Sequence, residues 1–160
     1  MPLLTGTTIY QSQLERTIAD KTGFGDAMLF SSGYTANLGA VSGLLRSNHL
    51  IIHDKLNHAS LLDATVLSGA KMLRFRHGDM EHLEKLLSTN ADQYPNGIMV
   101  ATDGVFSMDG DIANIPLILE LCQKYNALLL IDDAHATGVI GDNGAGTLSY
   151  YDITERNNII

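Results

Sequence analysis

At 160 residues, 45% hydrophobic and 18% charged, the chain carries enough apolar material for one domain with a real core. A formal net charge of -8 with no basic cluster excludes nucleic acid as a partner. The one cysteine, the lack of a basic and then apolar leader at Met1-Pro2-Leu3-Leu4, and the lack of any run of membrane-spanning length read as a soluble, cytoplasmic protein without a membrane partner.

In chain order, Ser12 to Thr22 has Leu14, Ile18 and Ala19 at helical spacing, with Gly23 as a stop. Ala27-Met28-Leu29-Phe30 reads as a short strand, and Tyr34 to Leu45 as a helix with small residues that allow close packing. Leu50-Ile51-Ile52 predicts a strand, Ala59 to Leu67 a helix, Met72 to Phe75 a strand, and Met80 to Leu87 a helix with Leu83, Leu86 and Leu87 on one side. Ile98 to Ala101 is the next strand, Ile115 to Tyr125 a helix with Pro116 in its first turn, and Ala127 to Ile131 the last strand. Cys122 falls in a helical pattern and reads as a small buried apolar group. Strands ending near Phe30, Ile52, Phe75, Ala101 and Ile131, with helices between them, predict an α/β fold: one mainly parallel sheet with helices on both faces.

The apolar run Leu128-Leu129-Leu130-Ile131 ends abruptly in Asp132-Asp133-Ala134-His135. It has the pattern of a strand buried on both faces, and ligands of parallel sheets sit beyond the carboxyl ends of strands. The alternative is that the two acids simply open a solvated loop. Three other junctions follow strand-like runs. Ser31-Ser32-Gly33-Tyr34 leads into a helix whose free amides and dipole suit an anion, or else a serine merely caps that helix. At Asn57-His58-Ala59-Ser60, Asn57 reads as a cap, while His58 either covers an aromatic ligand or packs. Thr102 to Asp111 is acidic but lacks the distal glutamate of a calcium loop, and Asp109-Gly110 reads as a turn. His49, His53, His77 and His82 show no ligand-like pairing with acids, so no metal site is expected.

A phosphate-bearing heteroaromatic ring would use all of these junctions. The carboxylate of Asp132 would pair with a protonated ring nitrogen, each pKa unit of that preference being worth about 1.4 kcal/mol. The resulting cation is the electron sink of pyridoxal 5'-phosphate chemistry.

The runs Phe30-Ser31-Ser32-Gly33-Tyr34-Thr35-Ala36-Asn37, Asn57-His58-Ala59-Ser60, Asp103-Gly104-Val105-Phe106-Ser107-Met108-Asp109-Gly110 and Asp132-Asp133-Ala134-His135 resemble, in order and spacing, the motifs of the α-oxoamine synthases. Those are fold-type-I pyridoxal phosphate enzymes that condense an amino acid with an acyl-CoA and release carbon dioxide. Within the family, residues 132–141 are most similar to the branch of biotin synthesis that joins L-alanine to a pimeloyl-type acyl-CoA. Residues 103–110 are shared with the glycine acetyltransferase branch. The resemblance implies that Gly33, Tyr34 and Ser107 contact the cofactor, His58 stacks on its ring, Asp132 holds the ring nitrogen and His135 bonds the phenolic oxygen. It further implies amino-acid and acyl-CoA substrates and a homodimeric parent. Two positions depart from the family: Gln11 stands where histidine is usual, and Asp103 where the biotin branch often has glutamate.

The family's Schiff-base lysine lies on a later strand, and Lys21, Lys55, Lys71, Lys85 and Lys124 match no such motif. The chain therefore reads as residues 1–160 of a single unit, the central part of a cofactor-binding large domain without its N-terminal segment and small domain. Such a piece is expected to be inactive alone. A non-catalytic, lysine-less partner subunit or remnant is the alternative of a different class.

Overall fold

The structure, a computed structural model, describes residues 6–160. The reading of Met1 to Leu4 lies outside them.

Helix α1 spans Ile9–Thr22 and starts earlier than its apolar spacing predicts, because Thr8 and Gln11 form a reciprocal capping box. Gln11 thus has a local structural task at the helix start. Helix α2, Gly33–Leu44, begins with a second capping box between Ser32 and Thr35. Strand β1 is Leu50–Asp54, helix α3 Ala59–Ser68, strand β2 Lys71–Phe75 and helix α4 Met80–Asn90. Strand β3 is Ile98–Asp103, helix α5 Ile115–Lys124, strand β4 Leu128–Asp132 and the short helix α6 Thr147–Tyr150.

The four strands pair in the order β2-β1-β3-β4, all parallel. Alternation along the strands divides the core in two. Leu50, Ile52, Ile98, Val100 and Leu129 face α4 and α5, where Leu83, Leu87, Ile115, Ile118 and Cys122 cover them. Ile51, Met99, Ala101 and Leu130 face α2 and α3, against Val41, Leu61 and Ala64. Helices therefore cover both faces. Cys122 is fully buried, and burial pushes its thiol up to about 12, so it is a packing group. β4 is the last of the four strands, yet its outer edge is covered: Leu129 and Ile131 donate to the carbonyls of Asn158 and Ile160, and Ile160 donates to Leu129.

The expected strand Ala27 to Phe30 does not form. Met28 is 75% exposed, and the Leu29 amide donates to the Glu15 side chain at 3.1 Å instead of to a ladder. The Phe30 ring lies over Gly39, where a Cβ would come within 2.4 Å of it. Four apolar residues are a strand only if a neighbouring strand accepts them, and this segment is spent covering α2. The anion-type junction before α2 is accordingly a loop entering a helix.

Candidate functional site

Strands β1, β3 and β4 end in Asp54, Asp103 and Asp132. By the same alternation, Asp103 and Asp132 follow Ala101 and Leu130 on the α2/α3 side, and the register pairs them directly. A cleft opens there, lined by Gly33, Tyr34, Asn37, His58, Ser60, Asp103, Asp132, Ala134 and His135. Five of the six residues singled out from sequence meet in it. Ser107 is not among the lining residues. It sits in an exposed turn, because Phe106 is buried in the α4/α5 core and Val105 bridges to Ile112, which turns the tip of the loop outward.

Asp132 is the anchor of the cleft. Asn37 Nδ2 donates to its Oδ2 at 2.7 Å, and the Ala134 amide to its Oδ1 at 3.2 Å. The other amide hydrogen of Asn37 goes to Ser60 Oγ at 2.8 Å, and Ser60 Oγ lies 2.7 Å from His58 Nδ1. The Ser60 backbone amide also donates to that Nδ1, at 3.3 Å, so His58 is the cap of α3. Nδ1 therefore accepts, and the neutral ring carries its proton on Nε2. The predicted cap, Asn57, is buried instead. Its Oδ1 accepts from the Asp103 amide at 3.3 Å, while its Nδ2 faces the Ala101 carbonyl at 2.7 Å and His53 Nδ1 at 3.1 Å. One side chain thus ties the His58 loop to the end of β3. His135 is exposed at the mouth, and Tyr34 hydrogen-bonds Asp63 at 2.5 Å, which raises its phenol above the ordinary value of 10.

Sequence reasoning missed Asn37 and Ser60. Asn37 lies one helical turn after Gly33, and Ser60 two residues after His58, so the spacing that puts a helical i+4 residue on the same face was the available signal. Of the two adjacent acids, sequence reasoning named Asp132 and gave Asp133 no task. Asp133 points to the other side of the sheet, where it accepts from the Thr147 amide at 3.0 Å, from Thr137 Oγ1 at 3.1 Å and from the Thr147 hydroxyl. It is a structural lock.

The donor set suits a planar cationic ring with an anionic tail. Ser32 takes the Thr35 amide through its side chain and the Ala36 amide through its carbonyl. The amides of Gly33 and Tyr34, which open the helix, have no intrahelical partner. A Cβ on Gly33 would meet nothing within 4 Å, so the space above them is open. Two carboxyl groups and two imidazoles stand on the same cleft.

A family model described as aminotransferase class I and II matches residues 3–160. An 8-amino-7-oxononanoate synthase from Hahella chejuensis is 49% identical over 143 residues, 89% of this chain and 35% of that protein. The structure of a serine palmitoyltransferase from S. paucimobilis with bound PLP–myriocin has a TM-score of 0.89 at 34% identity, covering 98% of this chain and 38% of that one. The 8-amino-7-oxononanoate synthase of Francisella tularensis has a TM-score of 0.74 at 32% identity, covering 95% of this chain and 43% of that one. The chain thus spans well under half the length of these relatives. No helix among the described residues is long and apolar enough to cross a membrane.

Proposed function

The chain belongs to the aminotransferase class I and II family, and on that footing we propose that it is the central part of the large domain of a pyridoxal phosphate-dependent α-oxoamine synthase, the one that condenses L-alanine with a pimeloyl-type acyl-CoA in biotin synthesis. The observation that carries this reading is the cleft in which Asp132, His58 and His135 converge with the opening turn of α2. The sequence relative of 49% identity favours the biotin branch over the glycine acetyltransferase branch. The parent is a homodimer that takes an amino acid and an acyl-CoA.

When bound, pyridoxal phosphate supplies an electron sink for the carbanion left as an amino acid loses a proton or carbon dioxide. The work of this chain is to hold and orient. Asp132 would accept a hydrogen bond from the protonated ring nitrogen and keep it charged, and the bonds from Asn37 and Ala134 fix its carboxylate for that task. His58 would offer a flat aromatic face, held in place through Ser60. Backbone amides of Gly33 and Tyr34, with the α2 dipole, receive the phosphate. His135 would donate to the phenolic oxygen; Ser107, which the family resemblance assigns to the cofactor, stands in an exposed turn outside the cleft lining. The lysine that takes the α-proton belongs to a part of the parent outside these 160 residues.

The test is to titrate the purified chain with pyridoxal phosphate by absorbance, then treat it with borohydride and map lysines by mass spectrometry. Expected are weak, non-covalent binding that Asp132→Ala lowers at least about tenfold, consistent with loss of one charge-assisted hydrogen bond, no labelled lysine, and no carbon dioxide from L-alanine with acyl-CoA. Stoichiometric labelling of one of the five lysines together with carbon dioxide release would overturn the reading of the chain as an incomplete synthase. Binding that ignores Asp132→Ala would overturn the site.

A further inference from the structure

Two carboxyl groups end side by side on this cleft, and their surroundings differ. Asp132 is held by two N–H donors, one on each oxygen. Asp103 receives one, the His58 amide at 3.2 Å on Oδ1, although only 4% of its surface is exposed. No buried side-chain oxygen among the described residues lacks a partner. Asp103 Oδ2, which has no hydrogen bond among them, is therefore reached from the cleft. Asp103 is buried directly beside the half-buried Asp132, and a carboxylate buried next to a second one with no cation between them is disfavoured in its ionised form. The proton that relieves the pair belongs on the member with fewer donors.

We propose that Asp103 is the proton-exchanging carboxyl of the cleft, taking up a proton from solvent when an anionic ligand fills the space and returning it on release, while Asp132 remains the acceptor. Only an O–H bond forms and breaks. The ligand-linked half rests on the reading of the cleft as a pyridoxal phosphate site.

The groups facing Asp103 come from three segments: His58 from the β1–α3 loop, Asp132 from β4 and His135 from the loop beyond it. Burial is the largest influence and raises the Asp103 pKa. Asp132 adds to it, while the His58 amide and the two imidazoles oppose it, and the outcome is a value of about 6. At pH 7 such a group is about nine-tenths ionised, which leaves it free to accept a proton as a ligand displaces water. The Tyr34 phenol shares the cleft but is engaged with Asp63.

The experiment has two arms. Carbon-13 NMR of the ligand-free chain should place the Asp103 carboxyl midpoint near 6, and a midpoint within one unit of the ordinary 3.8 would overturn the proposal. Calorimetry of pyridoxal phosphate binding at neutral pH, in buffers of different ionisation enthalpy, should show proton uptake that falls in Asp103→Asn and returns in Asp103→Glu. Asn keeps the acceptor for the His58 amide, so a purely structural role would leave the proton count unchanged, and an unchanged count would overturn the ligand-linked uptake. Failure of the unsubstituted chain to bind pyridoxal phosphate would instead overturn the assignment of the cleft, with the NMR midpoint still deciding whether Asp103 exchanges protons.

Discussion

Lowering the pH from about 7.5 to about 4 should change the stability of the protein little through His53 and Asp103, the two buried groups with strongly shifted pKa values in that range, because they act in opposite directions and nearly cancel. His53 is fully buried between Thr65 Oγ1 at 2.8 Å and Asn57 Nδ2 at 3.1 Å. Asn57 Oδ1 accepts from a backbone amide, so the amide orientation is set, its Nδ2 donates, and His53 is neutral with its proton on Nε2. Burial, helped by Arg74, lowers its pKa from 6.5 to about 4. The unfolded chain binds a proton that the folded one refuses, so this stability is fully present above 6.5 and is lost as pH falls through about 4. At about 1.4 kcal/mol per pKa unit the loss is about 3 kcal/mol. Asp103 has the reverse sign. Its folded pKa is raised from 3.8 to about 6, so its contribution is present below 3.8 and lost as pH rises through about 6. Acidification therefore returns about 3 kcal/mol. Urea denaturation followed by circular dichroism, with each variant compared with the unsubstituted protein at the same pH, isolates the two groups. Between about pH 7.5 and 4, Asp103→Asn should lose about 3 kcal/mol relative to the unsubstituted protein and His53→Gln should gain about as much, with the double variant returning to the original slope. Variants that track the unsubstituted protein within about 1 kcal/mol would refute the account of both groups.

Gly146→Ala should cost about 3 kcal/mol or more, since φ +90 and ψ -167 suit glycine alone and the new Cβ would lie 2.0 Å from Asp133 Oδ2, displacing the lock on Thr147. Gly69→Ala, at φ +75 and ψ 3 with its nearest neighbour 3.9 Å away, should cost only about 1 kcal/mol, and equal losses in thermal melts would show that Asp133 carries no such load. His77 lies 2.9 Å from both Asp54 and Asp111. Burial opposes its charge, but the bonds and charges of the two acids outweigh it and raise its pKa above 6.5, so its bridge is complete below 6.5 and is lost as pH rises through the raised value. Asp111→Asn should therefore destabilise at about pH 6 by roughly 1 kcal/mol and by clearly less at about pH 9, and a pH-independent loss would count against an imidazolium bridge.

Much of the architecture was legible because it is local. Apolar runs ending at strand termini, helical spacing, and signals such as the Gly23 stop and Pro116 in a first turn lie within a few residues of one another, so the four strands and their helices emerge close to their observed bounds. The junction logic placed His58, Asp132 and His135 on one edge for the same reason, since parallel strands deliver their carboxyl ends together, whereas Gly33 and Tyr34 arrive there on the first turn of α2 with no strand before them. Ala27 to Phe30 was misread because a strand exists only through a partner. Ser107 lies outside the cleft lining because its direction depends on where Phe106 is buried.

What the sequence by itself determined is the alternating α/β pattern, the parallel sheet and the set of strand ends at which chemistry can occur. The tertiary structure alone decided which polar side chains become partners there. Asn37 and Asp132 are 95 residues apart, and His58 and Asp103 are 45 apart. In sequence, Asn37 and Ser60 look like ordinary polar residues of two helices. Packing α2 and α3 on the face that Asp103 and Asp132 share turns them into the supports of a carboxylate and an imidazole, because a buried polar group must find its hydrogen bond wherever the fold puts one within reach.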